Sequence, residues 1–179
     1  MRSRVHLTRD MLEGAYQVMI LNVENVALEE ALFVPEGGYR SIIGTLKHAA
    51  GWSHVYHSFA FDQRPVHWKE VDWPHGLRDT IIASEEYLAD VIEWFKVSHQ
   101  KWTHVLDRVS DEQLEEHRSS PWGQKTPLFD IAVRVARHNV YHAGELNQVL
   151  SIVRGESWDE GEEVEENNVS TIGHRVKPS

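Results

Sequence analysis

Apolar positions recur along the chain at three- and four-residue steps, the repeat of a helix with one buried face. In the first such stretch, from about Arg9 to Phe33, the stripe is Leu12, Tyr16, Met19, Val23, Val26 and Leu32, with Thr8 as the expected N-cap. Pro35 and the pair Gly37-Gly38 close it. A second helix is expected from Arg40 to Phe61, ended by Arg64-Pro65. Val66 to Leu77 shows neither period and reads as an irregular connection carrying Trp68 and Trp73.

The third helix starts at Thr80 or Ser84 and runs to Val109, with Leu88, Val91, Ile92, Phe95, Trp102, Val105 and Leu106 on its stripe. Glu85 and Glu86 suit its first turn, where the helix dipole favours negative charge. Ser110-Asp111 opens a short helical turn through Glu116, and His117 to Lys125 reads as loop. Thr126-Pro127 then reads as an N-cap followed by proline at the first helical position. The fourth helix runs on to Arg154, with Gly155 as its natural C-terminal stop. Four helices of this length with short or moderate links predict an all-α fold, an antiparallel four-helix bundle over residues 1–155. Residues 156–179 are expected to form a loose acidic tail.

In the fourth helix the stripe of Leu128, Ile131 and Val135 resumes at Leu146, Val149 and Val153. The positions that carry it through the middle are His138 and His142. At a spacing of four, two imidazoles share a face and can reach one metal ion. They are also polar rings where the core wants aliphatics, costly unless bonded. Two hydrogen-bonded core histidines would satisfy the same pattern. Position 139 is Asn, so this is not the zinc-protease helix that carries a glutamate base beside its first histidine. In the second helix His48 falls inside the arc of Ile42, Thr45, Leu46, Ala49, Trp52, Val55, Tyr56 and Phe59. His54 lies opposite and His57 on the boundary; His104, near the stripe of the third helix, is the reserve ligand candidate.

The run Arg137-His138-Asn139-Val140-Tyr141-His142-Ala143-Gly144-Glu145-Leu146 resembles the last-helix signature of the DinB/YfiT-like family. Ser41 to Trp52, with its single His48, resembles that family's second-helix signature. The likeness spans about Thr8 to Gly155. It implies an up-down-down-up bundle holding a divalent metal on His48, His138 and His142. The ion is expected to be zinc or nickel, with iron or manganese as further options. Two positions depart from the family pattern: its usual Arg is Ala143 here and its usual Gln is Glu145.

The resemblance further implies a thiol S-transferase, in which a low-molecular-weight thiol is activated at the metal and attacks an electrophilic small molecule. Glu145 and Tyr141 are the candidate catalytic groups, the first as a base or as a partner to a ligating ring, the second as a proton donor. Trp52, one turn beyond His48, is the candidate substrate-binding residue. A non-catalytic metal-binding stress or resistance protein shares the same metal, as would a metal-dependent hydrolase or isomerase.

Composition narrows these readings. The 179 residues contain no cysteine, which excludes disulfides, cysteine-ligated metals and a cysteine nucleophile, while leaving an external thiol as the sulfur source. The 12 histidines are many for a chain of this size. The net charge is −10, yet residues 155–166 hold seven of the 28 acids and no base. The rest has 18 bases against 21 acids and can offer local positive charge to an acidic substrate or thiol. No basic nucleic-acid motif, apolar membrane span or targeting segment stands out. The expected protein is cytoplasmic, acts on a small molecule rather than nucleic acid or membrane, and could form a homodimer through exposed tryptophans.

Overall fold

The computed structural model describes residues 2–38 and 40–155. The expected acidic tail lies outside the described residues. Five α-helices account for most of it: α1 Arg4–Leu21, α2 Leu28–Leu32, α3 Ile42–Phe61, α4 Glu85–Leu106 and α5 Leu128–Arg154. Two two-residue strands, β1 His117–Arg118 and β2 Thr126–Pro127, pair antiparallel just before α5.

The core gives the directions of the long helices. At one end Met19 and Ile20 of α1 pack with Ile42, Ile43 and Leu46 of α3, Tyr87 and Val91 of α4, and Leu146 and Leu150 of α5. At the other end Leu12 and Ala15 meet Ala60, Trp102, Leu106, Leu128 and Ile131. Helices α1 and α5 thus end where α3 and α4 begin, which is the up-down-down-up order of a four-helix bundle. Parallel α3 and α4 force the segment between them to travel the length of the bundle. That connection contains 3₁₀ turns at Trp68–Glu70 and Pro74–Gly76 and adds its own small core of Val71 and Trp73 against Val55.

Three local expectations are corrected. The first expected helix is two: α1 stops at Leu21, where Asn22 turns its side-chain amide onto the Val18 carbonyl, and α2 restarts after a turn. Its start is also earlier, because Ser3 accepts from the His6 amide while the Asp111 carboxylate accepts from the amides of Arg4 and Val5. Thr8, the expected cap, bonds back to the Arg4 carbonyl instead. Finally, Thr126-Pro127 is extended and paired with β1 rather than capping; the Leu128 amide donates to the Glu116 carbonyl, which satisfies the helix start from the neighbouring strand. Ser84 caps α4 by accepting from the Tyr87 amide, and Gly155, with φ of 66°, terminates α5.

Candidate metal centre

Helices α3 and α5 pack against one another, and the small residues Ala49, Ala50 and Ala143 are buried in the shared core next to the histidines in sequence. His48 of α3 and His138 and His142 of α5 converge there, with one potential ligand nitrogen from each lying within 4.8 Å of the others. The ring centroids are 4.3 Å apart for His138 and His142, 5.3 Å for His48 and His138, and 5.0 Å for His48 and His142. His142 is buried, and the other two are half-buried.

Protonation follows from the partners. The Nδ1 of His142 lies 2.6 Å from Oε2 of Glu145, one turn further along α5. An ionised carboxylate only accepts, so Nδ1 carries the proton and Nε2 keeps its lone pair. That Nε2 is 3.1 Å from Nε2 of His138. Two nitrogens about 2.05 Å from a tetrahedral ion stand roughly 3.3 Å apart, so the spacing fits a shared cation. Burial, followed by the positive charge of Arg40 and the neighbouring imidazoles, pushes His48 down to about 3. Burial also pushes His138 down to about 4, helped by His142 and Arg40. Both rings are therefore neutral at pH 7, the form that ligates metal. The donor set fits a divalent ion, with three imidazole nitrogens converging and a carboxylate bonded to one of the rings.

Around the triad, the indole of Trp68 approaches His48 edge-on at 5.6 Å and stacks on Trp52 at 4.7 Å. Trp52 itself stands 6.4 Å from His48, and Tyr56 presents an edge to His138. Tyr141 is on the outer side of α5 and largely exposed, its ring 5.2 Å from that of His142. A hydrogen bond to Glu145 and the carboxylate's charge hold its phenol above the usual range. The reserve candidate His104 is exposed on α4 and takes no part in the group. His99 is buried on the opposite side of the bundle, bonded to Glu13 and stacked on Tyr16.

Two cavities flank the triad and share Arg40. One, of about 290 Å³, lies between the 35–38 turn and α5, where Glu145, Gln148 and Ile152 line it. The other, of about 320 Å³, includes His48 itself together with Lys47, Trp68, Trp73 and Arg78. Sequence periodicity could not find Trp68 or Arg40. The first sits in a connection with no repeat, and the second immediately precedes Ser41, the cap of α3. The six described tryptophans are all buried or half-buried, so none is the exposed handle expected for a dimer. None of the described helices is long and apolar enough to cross a membrane.

Comparison with known proteins agrees with this architecture. A conserved protein from Enterococcus faecalis superposes with a TM-score of 0.61 at 15% identity, over 87% of this chain and 100% of its own. A protein from Streptococcus pneumoniae gives 0.54 at 14%, over 87% and 92%. At such identities the likeness concerns the fold. No curated protein matches the sequence. Residues 11–146 match the DinB superfamily, a span that contains all three histidines and their orienting glutamate, and the chain belongs to that superfamily.

Proposed function

We propose that the protein is a metal-dependent enzyme that transfers a low-molecular-weight thiol to an electrophilic small molecule. The observation that carries the reading is the convergence of His48, His138 and His142, with His48 lining an open cavity. Three imidazole ligands would leave coordination positions for an exchangeable ligand, the arrangement of a catalytic rather than a structural site. A divalent ion bound there supplies Lewis acidity, which favours the ionised form of a thiol at neutral pH.

The chain's own residues prepare that chemistry. Glu145 holds the His142 ring in one tautomer and orientation. Trp52 and Trp68 form an apolar wall over His48 that limits water around the sulfur. Arg40 provides positive charge near two of the ligands. In the transfer the thiol gives up its proton to solvent and its sulfur forms a bond to the electrophilic carbon. The leaving group departs with its bonding electron pair. Tyr141, whose ring lies 5.2 Å from that of His142, would serve as proton donor to a departing group that needs one.

The test uses protein purified without a nickel column, stripped with chelator and reloaded with one metal at a time. Cysteine, coenzyme A and glutathione are each offered with 1-chloro-2,4-dinitrobenzene, and thioether formation is followed by absorbance. Metal-dependent turnover that is lost in His138→Ala supports the reading. Stoichiometric metal binding without turnover for any thiol assigns the protein to metal binding alone.

A further inference from the structure

We propose that the cavity beside His48 is an anion-recognition pocket that takes a carboxylate-bearing small molecule with an apolar body. As a substrate subsite this rests on the metal-enzyme reading above; as a binding site it stands on its own residues.

The strongest observation is Lys47. It adjoins His48 on α3, and its side chain is almost wholly enclosed, at 4% exposure. Its ammonium donates to the Thr80 carbonyl at 2.9 Å and stands 5.7 Å from the ring centres of both Trp73 and Tyr87. An ammonium has three donors, and among the described residues no carboxylate makes an ion pair with this one. The nearby acid that does reach it electrostatically, Asp79, is held by Arg78, whose Nε lies 2.9 and 2.8 Å from its two oxygens. Enclosing a cation without an anion in contact is costly. Two aromatic faces offset part of that cost; an anion in the adjoining cavity would offset more.

The rest of the wall has matching chemistry. Arg40, Lys47 and Arg78 line the cavity, with Arg78 bonded to Asp79. Trp68, Trp73 and Ile81 supply the apolar surface. An inorganic anion would use only the first set of contacts, and a neutral aromatic only the second. A small organic acid uses both, and its polar end would lie on the same wall as His48. The two cations that matter come from different segments: Arg40 from the turn before α3, and Lys47 from within α3.

Binding is followed by the protein's tryptophan fluorescence, to which Trp68 and Trp73 on the cavity wall contribute. Benzoate, benzamide and phosphate are titrated into the metal-stripped full-length protein, with calorimetry in parallel. The expected result is saturable benzoate binding, at least ten-fold tighter than either benzamide or phosphate. It should weaken at least ten-fold in Arg40→Gln and in Lys47→Met. Lys47→Met keeps the side-chain length in an apolar setting; should it unfold, Arg40→Gln at the cavity mouth decides alone. Absence of saturation, equal binding of benzamide or phosphate, or unchanged benzoate affinity in a folded variant overturns the proposal. Because no metal is present, the outcome is independent of the turnover test. Benzoate binding without thiol transfer removes only the enzyme reading, and metal-dependent transfer without benzoate binding removes only this one.

Discussion

Glu145 accepts from Nδ1 of His142 at 2.6 Å while the other nitrogen of the same ring faces Nε2 of His138 at 3.1 Å. One ring thus links a carboxylate on its outer edge to a second imidazole on its inner edge. Loss of the outer contact should leave the ligands in place but less well oriented. Glu145→Gln is expected to weaken metal binding about 10- to 100-fold, the usual cost of removing such a partner. Competition against a chromophoric chelator measures this, and an unchanged affinity would show that Glu145 does not act on the ring.

Metal should also stabilise the fold, since three ligands from two helices are fixed only in the native state. At free metal 100 times the dissociation constant the gain is about 2.7 kcal/mol, which thermal melts of stripped and reloaded protein will read as a higher Tm. His48→Ala and His142→Ala should melt at the same temperature with and without metal. A wild-type melting curve indifferent to zinc, nickel, iron and manganese would remove the site.

Gly51 ties the recognition wall to α3. A Cβ built there would lie 2.5 Å from Cη2 and 2.8 Å from Cζ3 of Trp73, and 3.0 Å from Trp68. Trp73 is buried and cannot swing aside. Gly51→Ala is expected to cost about 1–3 kcal/mol by overpacking. Gly144→Ala is the control: it lies in the middle of α5 with nothing within 4 Å of the new methyl group, and it should stabilise by about 0.5–1 kcal/mol. Chemical denaturation of both variants checks the opposite signs.

Acid should destabilise the protein through His57. Burial pushes this ring down to about 4, and its Nε2 is enclosed without a hydrogen-bond partner. The unfolded chain, with a value near 6.5, takes up the proton first. The contribution of His57 to stability is therefore complete above about pH 6.5, declines as pH falls toward 4, and changes no further below that. His57→Phe should flatten the stability curve by up to one proton in this window. A slope identical to wild type would place the acid sensitivity at the other histidines that burial shifts downward, His48, His138 and His54.

The convergence of the three histidines is legible in the sequence because helical phase is a local property. Once α3 and α5 have a buried stripe, His48, His138 and His142 fall on it whatever the loops do. The partners of those rings are set by contacts distant in sequence, which no periodicity encodes. Trp68 reaches His48 from a segment without a repeat. Lys47 is buried because Thr80, Trp73 and Tyr87 close over it from the connection and α4. Helix starts failed for the same reason: Asp111 caps α1 from more than a hundred residues away, and β1 supplants the cap that Thr126 would have made. Glu145 is a candidate group in the sequence, but only the structure identifies Nδ1 of His142 as the atom it holds.

The long passage between α3 and α4 has a consequence for how the protein can diversify. The three convergent histidines sit on two helices whose sequences are constrained by the bundle, whereas Trp68 and Trp73 belong to the strap between α3 and α4. Arg40 and Lys47 belong to the bundle's own sequence while Trp68, Trp73 and Arg78 belong to the strap, so the cavity beside His48 is assembled from two separate stretches of chain. Replacing the strap between Asp62 and Ser84 would rebuild one wall of that cavity while leaving His138 and His142 on α5 in place.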